Sequence, residues 1–195
     1  MTTDLDQLRS RIAELRQTLE AGIEERRAIW RYRIEHGRAV FEAGARARHR
    51  EMREGLAGYL ARARLSVVIT APFIYALIVP FALLDLFVSV YQAVCFPVYG
   101  IPKVRRADHI IIDRHMLGYL NGLQKLNCLY CGYANGLISY VREISGRTEA
   151  HWCPIKHARH ASDPHPHYDN FCDFGDAEGF RAEMDRRRAE ERKPG

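Results

Sequence analysis

Hydrophobic and polar positions are segregated along this chain rather than evenly interleaved. Leu5, Leu8, Ile12, Leu15 and Leu19 recur at spacings of three and four. That is the a/d seam of a helix that can pair with another. The register fails at Gly22 and shifts toward Ile23, and no proline occurs before Pro72. The pattern predicts a long helix through the arm 1–64, with Gly44, Gly55 and Gly58 as the places where it could break. Beyond Arg64 the pattern changes outright. Residues 65–102 carry one formal charge, Asp85, in a run whose first part reads LSVVITAPFIYALIVPFALL.

Leu65–Leu84 is 20 uncharged residues, the length needed to cross a bilayer core of about 30 Å. The full run of 38 residues is too long for one straight crossing and slightly short for two. Pro72, Pro80, Pro97 and Pro102 argue against one continuous helix. Arg62 and Arg64 precede the run, and Lys103, Arg105 and Arg106 follow it. Positive residues mark the cytoplasmic side of a membrane segment. A hydrophobic membrane-inserted hairpin turning near Pro80 to Asp85 leaves both basic flanks in the cytoplasm. A single span with a half-buried continuation, or a buried helix pair of a soluble protein, are the alternatives. Tyr75, Tyr91 and Tyr99 fit interface aromatics. Asp85 reads as an acid at the hairpin turn or, less economically, as a group that handles protons or ions.

Charge refines this picture. The chain has 195 residues, with 29 Lys+Arg against 24 Asp+Glu, a net charge of +5. The excess is almost entirely arginine and fits an anionic membrane surface. Nucleic acid is not the expected partner, because no helix-turn-helix or basic-zipper pattern is present. The acidic start, Met1-Thr2-Thr3-Asp4-Leu5-Asp6, does not read as a cleaved export signal. Any insertion is expected to use the internal run.

The chemistry is concentrated in residues 103–175. Cys128, Cys131, Cys153 and Cys172 fall there with His151, His157, His160, His165 and His167, while Cys95 lies in the apolar run. Cys128-Leu129-Tyr130-Cys131-Gly132 resembles a zinc knuckle, in which a C-x₂-C turn aims two sulfurs at one ion. Cys153 and His157 form a second half-site with C-x₃-H spacing. Between them, Leu137, Ile138, Val141 and Ile144 predict a short amphipathic helix that Asn135 could cap. The expected site is structural zinc on Cys128, Cys131, Cys153 and His157, with iron as the alternative metal and with His151, His160 or Cys172 as alternative fourth ligands. The His/Asp-rich loop 157–169 keeps a catalytic role open. No Gly-rich phosphate loop or H-E-x-x-H is present, and no small-molecule substrate is identified. Asp176 is placed to cap a last helix from Ala177 to about Arg192, with Arg192 and Lys193 at its negative end.

The expected fold class is mainly α. A charged helical arm (1–64) leads into a short hydrophobic membrane hairpin or span (65–102). A small metal-stabilised, zinc-knuckle-like domain (103–175) and a charged terminal helix (176–195) follow. The expected function is a membrane-anchored zinc-binding protein that acts as a non-enzymatic adaptor or assembly factor. Its soluble parts would face the cytoplasm and its partners would be the bilayer and a second copy or another protein. A membrane-associated metalloenzyme and a redox or iron–sulfur protein are the competing readings.

Overall fold

The computed structural model describes residues 2–36 and 38–191, and their side chains except those of 2–6, 8, 9 and 188–191. Arg192 and Lys193, and the side chains of Leu5 and Leu8, therefore lie outside the described residues. The protein is mainly helical. It divides into two compact units, Met1–Arg62 with Asp113–Asn127, and Ala63–Ile112 with Cys128–Gly195.

In the first unit, α1 (Thr2–Ile29) is followed by a hairpin of β1 (Tyr32–Glu35) and β2 (Arg38–Phe41), then α2 (Ala43–Glu51) and α3 (Leu56–Ala61). The arm is thus broken earlier than its glycines suggest. The strands pair antiparallel from Tyr32↔Phe41 to Glu35↔Arg38, and Arg31 and His36 take left-handed φ values of 54° and 51°. The apolar members Tyr32, Ile34, Ala39 and Phe41 sit either side of His36-Gly37, a two-residue hairpin signal inside a charged stretch. Tyr32 and Phe41 pack across the pair at a tilt of 37°, with ring centroids 5.3 Å apart. His49 of α2 meets Phe41 at 4.9 Å and Tyr119 at 5.1 Å. Ile12, Leu15 and Leu19 of the leucine seam are exposed along α1.

The apolar run forms two helices, α4 (Leu65–Ala76) and α5 (Ile78–Val98), separated only by Leu77. The hairpin turn expected at Pro80 to Asp85 is instead helix. The physical reason is the position of Pro80, third in α5, where a helix needs no N–H donor. Its ring crowds the carbonyl four residues back, that of Ala76, and there the helix breaks. The Leu77 N–H turns to the Ile74 carbonyl at 3.2 Å. Together Leu65–Val98 forms one apolar helical stretch of 34 residues, long enough to cross a membrane.

After α5 the chain turns through Gly100, whose φ of 67° favours glycine. It then runs back along α5 as a return segment, 101–112, which includes the single turn α6 (Arg106–His109). The Ile101 N–H bonds the Phe96 carbonyl at 2.9 Å. Gln92, buried in α5, grips Val104 twice: its Oε1 accepts the Val104 N–H at 2.9 Å and its Nε2 donates to the Val104 carbonyl at 3.2 Å. The same Nε2 also donates to the Tyr140 hydroxyl.

α7 (Gly122–Trp152) then runs in the same direction as α5. Its start is fixed by a capping box: the Asn121 N–H donates to Gln124 Oε1 and the Gln124 N–H to Asn121 Oδ1, both at 2.9 Å. The helix expected to begin near Gly136 therefore begins fourteen residues earlier, passing through both cysteines of the C-x₂-C. Asn135 bonds back to the Cys131 carbonyl at 2.9 Å instead of capping anything. Gly132 and Gly136 open a shallow channel on α7 for the return segment. A Cβ at Gly136 would lie 2.7 Å from Ile110 Cα and 2.8 Å from the His109 carbonyl oxygen. The core of this unit is Phe96, Ile101, Val104, Leu137, Tyr140 and Ile144, contributed by α5, the return segment and α7.

The last helix, α8 (Ala177–Glu191), begins where the sequence places it, with Asp176 Oδ1 accepting the Gly179 N–H at 2.9 Å. Arg187 of α8 donates to the Ala150 carbonyl at the end of α7. It thereby satisfies one of the terminal carbonyls and meets the negative end of that helix.

Candidate functional site

Two features stand out from the scaffold: the apolar helix pair with its one acid, and a histidine loop clasped onto α7. α4 has no polar face. Val67, Val68 and Ile69, then Phe73 and Ile74, are all more than half exposed. Consecutive residues point in different directions around a helix, so apolar side chains surround α4 on every side. α5 is two-faced. Asp85, Ser89 and Gln92 turn toward the return segment and α7. Val79, Leu83, Leu86, Phe87, Val90, Val94 and Val98 form an open stripe at helical spacing. Phe87 is 68% and Val98 77% exposed, although neither has a polar group to gain from water.

Asp85 is not alone, as the composition of its own segment suggested. The return segment delivers Arg106, whose Nη2 lies 2.6 Å from Asp85 Oδ2 and whose Nε lies 3.2 Å from Oδ1, a two-pronged pair. The Tyr133 hydroxyl donates to Oδ2 at 3.1 Å and the Ser89 hydroxyl to Oδ1 at 3.3 Å. The carboxylate is only 15% exposed. Burial, and then the facing carboxylate, push the Tyr133 phenol above its ordinary value, so it remains a protonated donor. The arrangement neutralises and fixes a charge. With Arg106 matching it, Asp85 serves as an anchor for the return segment.

The four expected metal ligands are not brought together. Cys128 and Cys131 stand one turn apart within α7, and Cys153 follows the end of the same helix. At the helical rise, Cys131 and Cys153 are separated by about 33 Å along the axis, whereas one zinc ion holds its sulfurs at about 2.3 Å. A single ion bound by all four would require α7 to break between them. His157 lies in the following loop, where its N–H donates to the Tyr168 hydroxyl at 2.6 Å. Of the alternative ligands, His151 stacks on Tyr99 with ring centroids 5.6 Å apart, and Cys172 sits at the neck of that loop. Among the described residues, no group of three or more His, Cys, Asp or Glu side chains is placed to hold a metal ion.

The loop 153–172 is closed at its neck. Ile155 bridges Cys172, with the Lys156 N–H on the Cys172 carbonyl and the Cys172 N–H on the Pro154 carbonyl, both at 2.8 Å. Its inner edge lies on α7. His165 Nε2 is 2.9 Å from Glu149 Oε2, and His167 Nε2 is 3.1 Å from Glu143 Oε1. Glu143 also receives Arg147 Nε at 2.7 Å. Gly146, between the two acids, leaves room for the His165 ring, which a Cβ would meet at 2.8 Å. The sequence marked the two histidines. It did not mark Glu143 and Glu149, whose only local signal is the i,i+4 pair of Glu143 with Arg147. The pattern Pro164-His165-Pro166-His167 is therefore a clasp, since each ring spends its Nε2 on a carboxylate of the helix beneath.

Glu143 gives the clasp a pH dependence. Burial works to raise its pKa, but hydrogen bonds from Arg147 and His167 outweigh it and hold the carboxyl below its ordinary 4.5. A lowered carboxylate contributes stability that is complete above its ordinary value and is lost as pH falls through the native one. Acidification below pH 4.5 is thus expected to release the loop before the α5–α7 core melts. Amide hydrogen exchange at residues 165–171, compared with that at residues 137–144, checks this. Equal sensitivity of both sets to acid would count against the clasp.

Comparison with protein-family models, curated proteins and solved structures finds no match for the chain. Its function is therefore argued from its own residues.

Proposed function

We propose that this protein is a membrane-anchored, non-enzymatic adaptor, held at the cytoplasmic face by the α4–α5 stretch and presenting the helical unit built on α7. The observation that carries this reading is the surface of α4, apolar on every side and open. Burying a single large apolar side chain stabilises by about 1.5–3 kcal/mol, and across α4 and α5 together more than a dozen are left uncovered. A contiguous apolar surface of that extent marks a membrane or partner interface. A single partner helix covers one stripe of a helix, whereas lipid can surround it. The open leucine seam of α1, at Ile12, Leu15 and Leu19, supports a second copy or another helix as the protein partner.

The competing readings draw less support. A metalloenzyme in the loop 157–169 needs several donors that converge on one ion, and among the described residues no three His, Cys, Asp or Glu side chains do so. A zinc or iron centre on Cys128, Cys131, Cys153 and His157 needs the four to converge. The adaptor reading depends on neither.

The test is extraction of cell membranes containing the full chain. The protein is expected to stay with the membrane through high salt and alkaline carbonate and to leave it in detergent. Replacing Val68, Phe73 and Leu83 together by aspartate, each an exposed position, is expected to shift it to the soluble fraction. Wild-type protein found soluble without detergent would overturn the reading.

A further inference from the structure

The apolar stretch has the length of a membrane crossing, yet two observations say that it does not cross. The first lies within one compact unit, which contains residues from before the stretch and after it. His49, sixteen residues ahead of Leu65, meets the Tyr119 ring edge-on at 5.1 Å. Gly118 is packed so closely on His49 that an added Cβ would lie 3.1 Å from its Cβ. Residues in direct contact are on one side of any bilayer, so the chain enters and leaves on the same face.

The second observation concerns the route of the return. The chain comes back directly alongside α5, through the contacts Phe96–Ile101, Gln92–Val104 and Asp85–Arg106. The returning segment carries Lys103, Arg105, Arg106 and Asp108, and Arg105 is 80% exposed. A hairpin plunged through the hydrocarbon would take these charges with it, at a cost of about 3 kcal/mol each at the bilayer centre. Arg106 alone has a matching acid within the apolar stretch.

We infer that α4–α5 lies in the plane of the membrane, sunk into one leaflet, with the stripe Val79, Leu83, Leu86, Phe87, Val90, Val94 facing the acyl chains. Asp85, Ser89 and Gln92, on the other side of α5, face the protein. The return segment and α7 rest on that side as a roof, and Lys103 and Arg105 reach the phosphate groups at the rim. This inference rests on the membrane reading above and specifies its geometry. The occupant of the apolar stripe is the lipid of a single leaflet.

The experiment uses the full chain with a protease-cleavable tag at each end, bound to sealed vesicles of phosphatidylcholine and phosphatidylglycerol. Two otherwise parallel proteins carry Phe73→Trp or Val94→Trp, both at exposed positions, with Trp30 and Trp152 replaced by Phe. Depth is read by quenching with lipids brominated either near the headgroup or near the chain ends. The expected result is that external protease removes both tags, and that both tryptophans are quenched more by the shallow bromines. A floating protein with one tag protected overturns the in-plane geometry and leaves the anchor intact. Both tags removed, with quenching strongest at the chain ends, also overturns it, in favour of a deep hairpin. Protein that fails to float with the vesicles overturns the membrane reading, and this inference with it.

Discussion

Gly136→Ala is expected to destabilise the unit formed by α5, the return segment and α7, even though alanine is the better helix former. The intrinsic gain of replacing a mid-helix glycine by alanine is about 1 kcal/mol. Against it stands a methyl group placed 2.7 Å from Ile110 Cα and 2.8 Å from the His109 carbonyl oxygen. Both obstacles include main chain, so neither can rotate aside. Overpacking of this kind costs about 1–3 kcal/mol, occasionally more. A net loss of up to about 2 kcal/mol follows for alanine, and a larger one for Gly136→Val. Gly22 is the control: it sits in the middle of α1 with nothing within 4 Å of an added Cβ. Gly22→Ala is expected to stabilise by up to about 1 kcal/mol. Urea unfolding of the three proteins in the same detergent checks the opposite signs. A stabilising Gly136→Ala would mean that the return segment does not lie in the α7 channel.

Gln92→Leu is expected to be costlier than its similar volume suggests. The side-chain amide satisfies both polar groups of the Val104 backbone, in a site where Gln92 is 7% and Val104 5% exposed. Leucine fills the space but leaves a buried N–H and a buried carbonyl without partners. Each unsatisfied group costs about 1–3 kcal/mol, so a loss of about 2–6 kcal/mol is expected for the two. The specific readout is the Val104 amide, which should exchange with solvent far faster in the variant while amides in α8 are unchanged. Protection of Val104 retained in Gln92→Leu would show that another group holds the return segment.

How much of this was legible beforehand depends on the distance over which each feature is encoded. The apolar helix was visible because its signal is local and long, and α8 because Asp176 stands directly before it. The β-hairpin was readable in principle from the apolar alternation around His36-Gly37. A proline-free, arginine-rich context favoured helix over those ten residues. The start of α7 does carry a local signal, Asn121 followed three residues later by Gln124. Against it stands the C-x₂-C spacing, which forms a turn in zinc knuckles. The same spacing is one turn of an α-helix, and the helical capping box upstream decides between the two. Arg106 as the partner of Asp85, and Glu143 and Glu149 as partners of His167 and His165, were not legible at all. Their separations of 21, 24 and 16 residues are set by the return of the chain, which no local pattern announces.

The parallel course of α5 and α7 has a consequence in time. Asp85 waits for Tyr133 and Gln92 for Tyr140, each 48 residues further along, and Tyr91 waits for Thr148, 57 residues on. At synthesis rates of about 5–20 residues per second, the apolar stretch is outside the ribosome for seconds before its roof exists. With the in-plane anchoring proposed above, a leaflet would receive it during that interval. Under that proposal lipid binding would precede folding: the helix would be seated first, and α7 would close over a template already held in place.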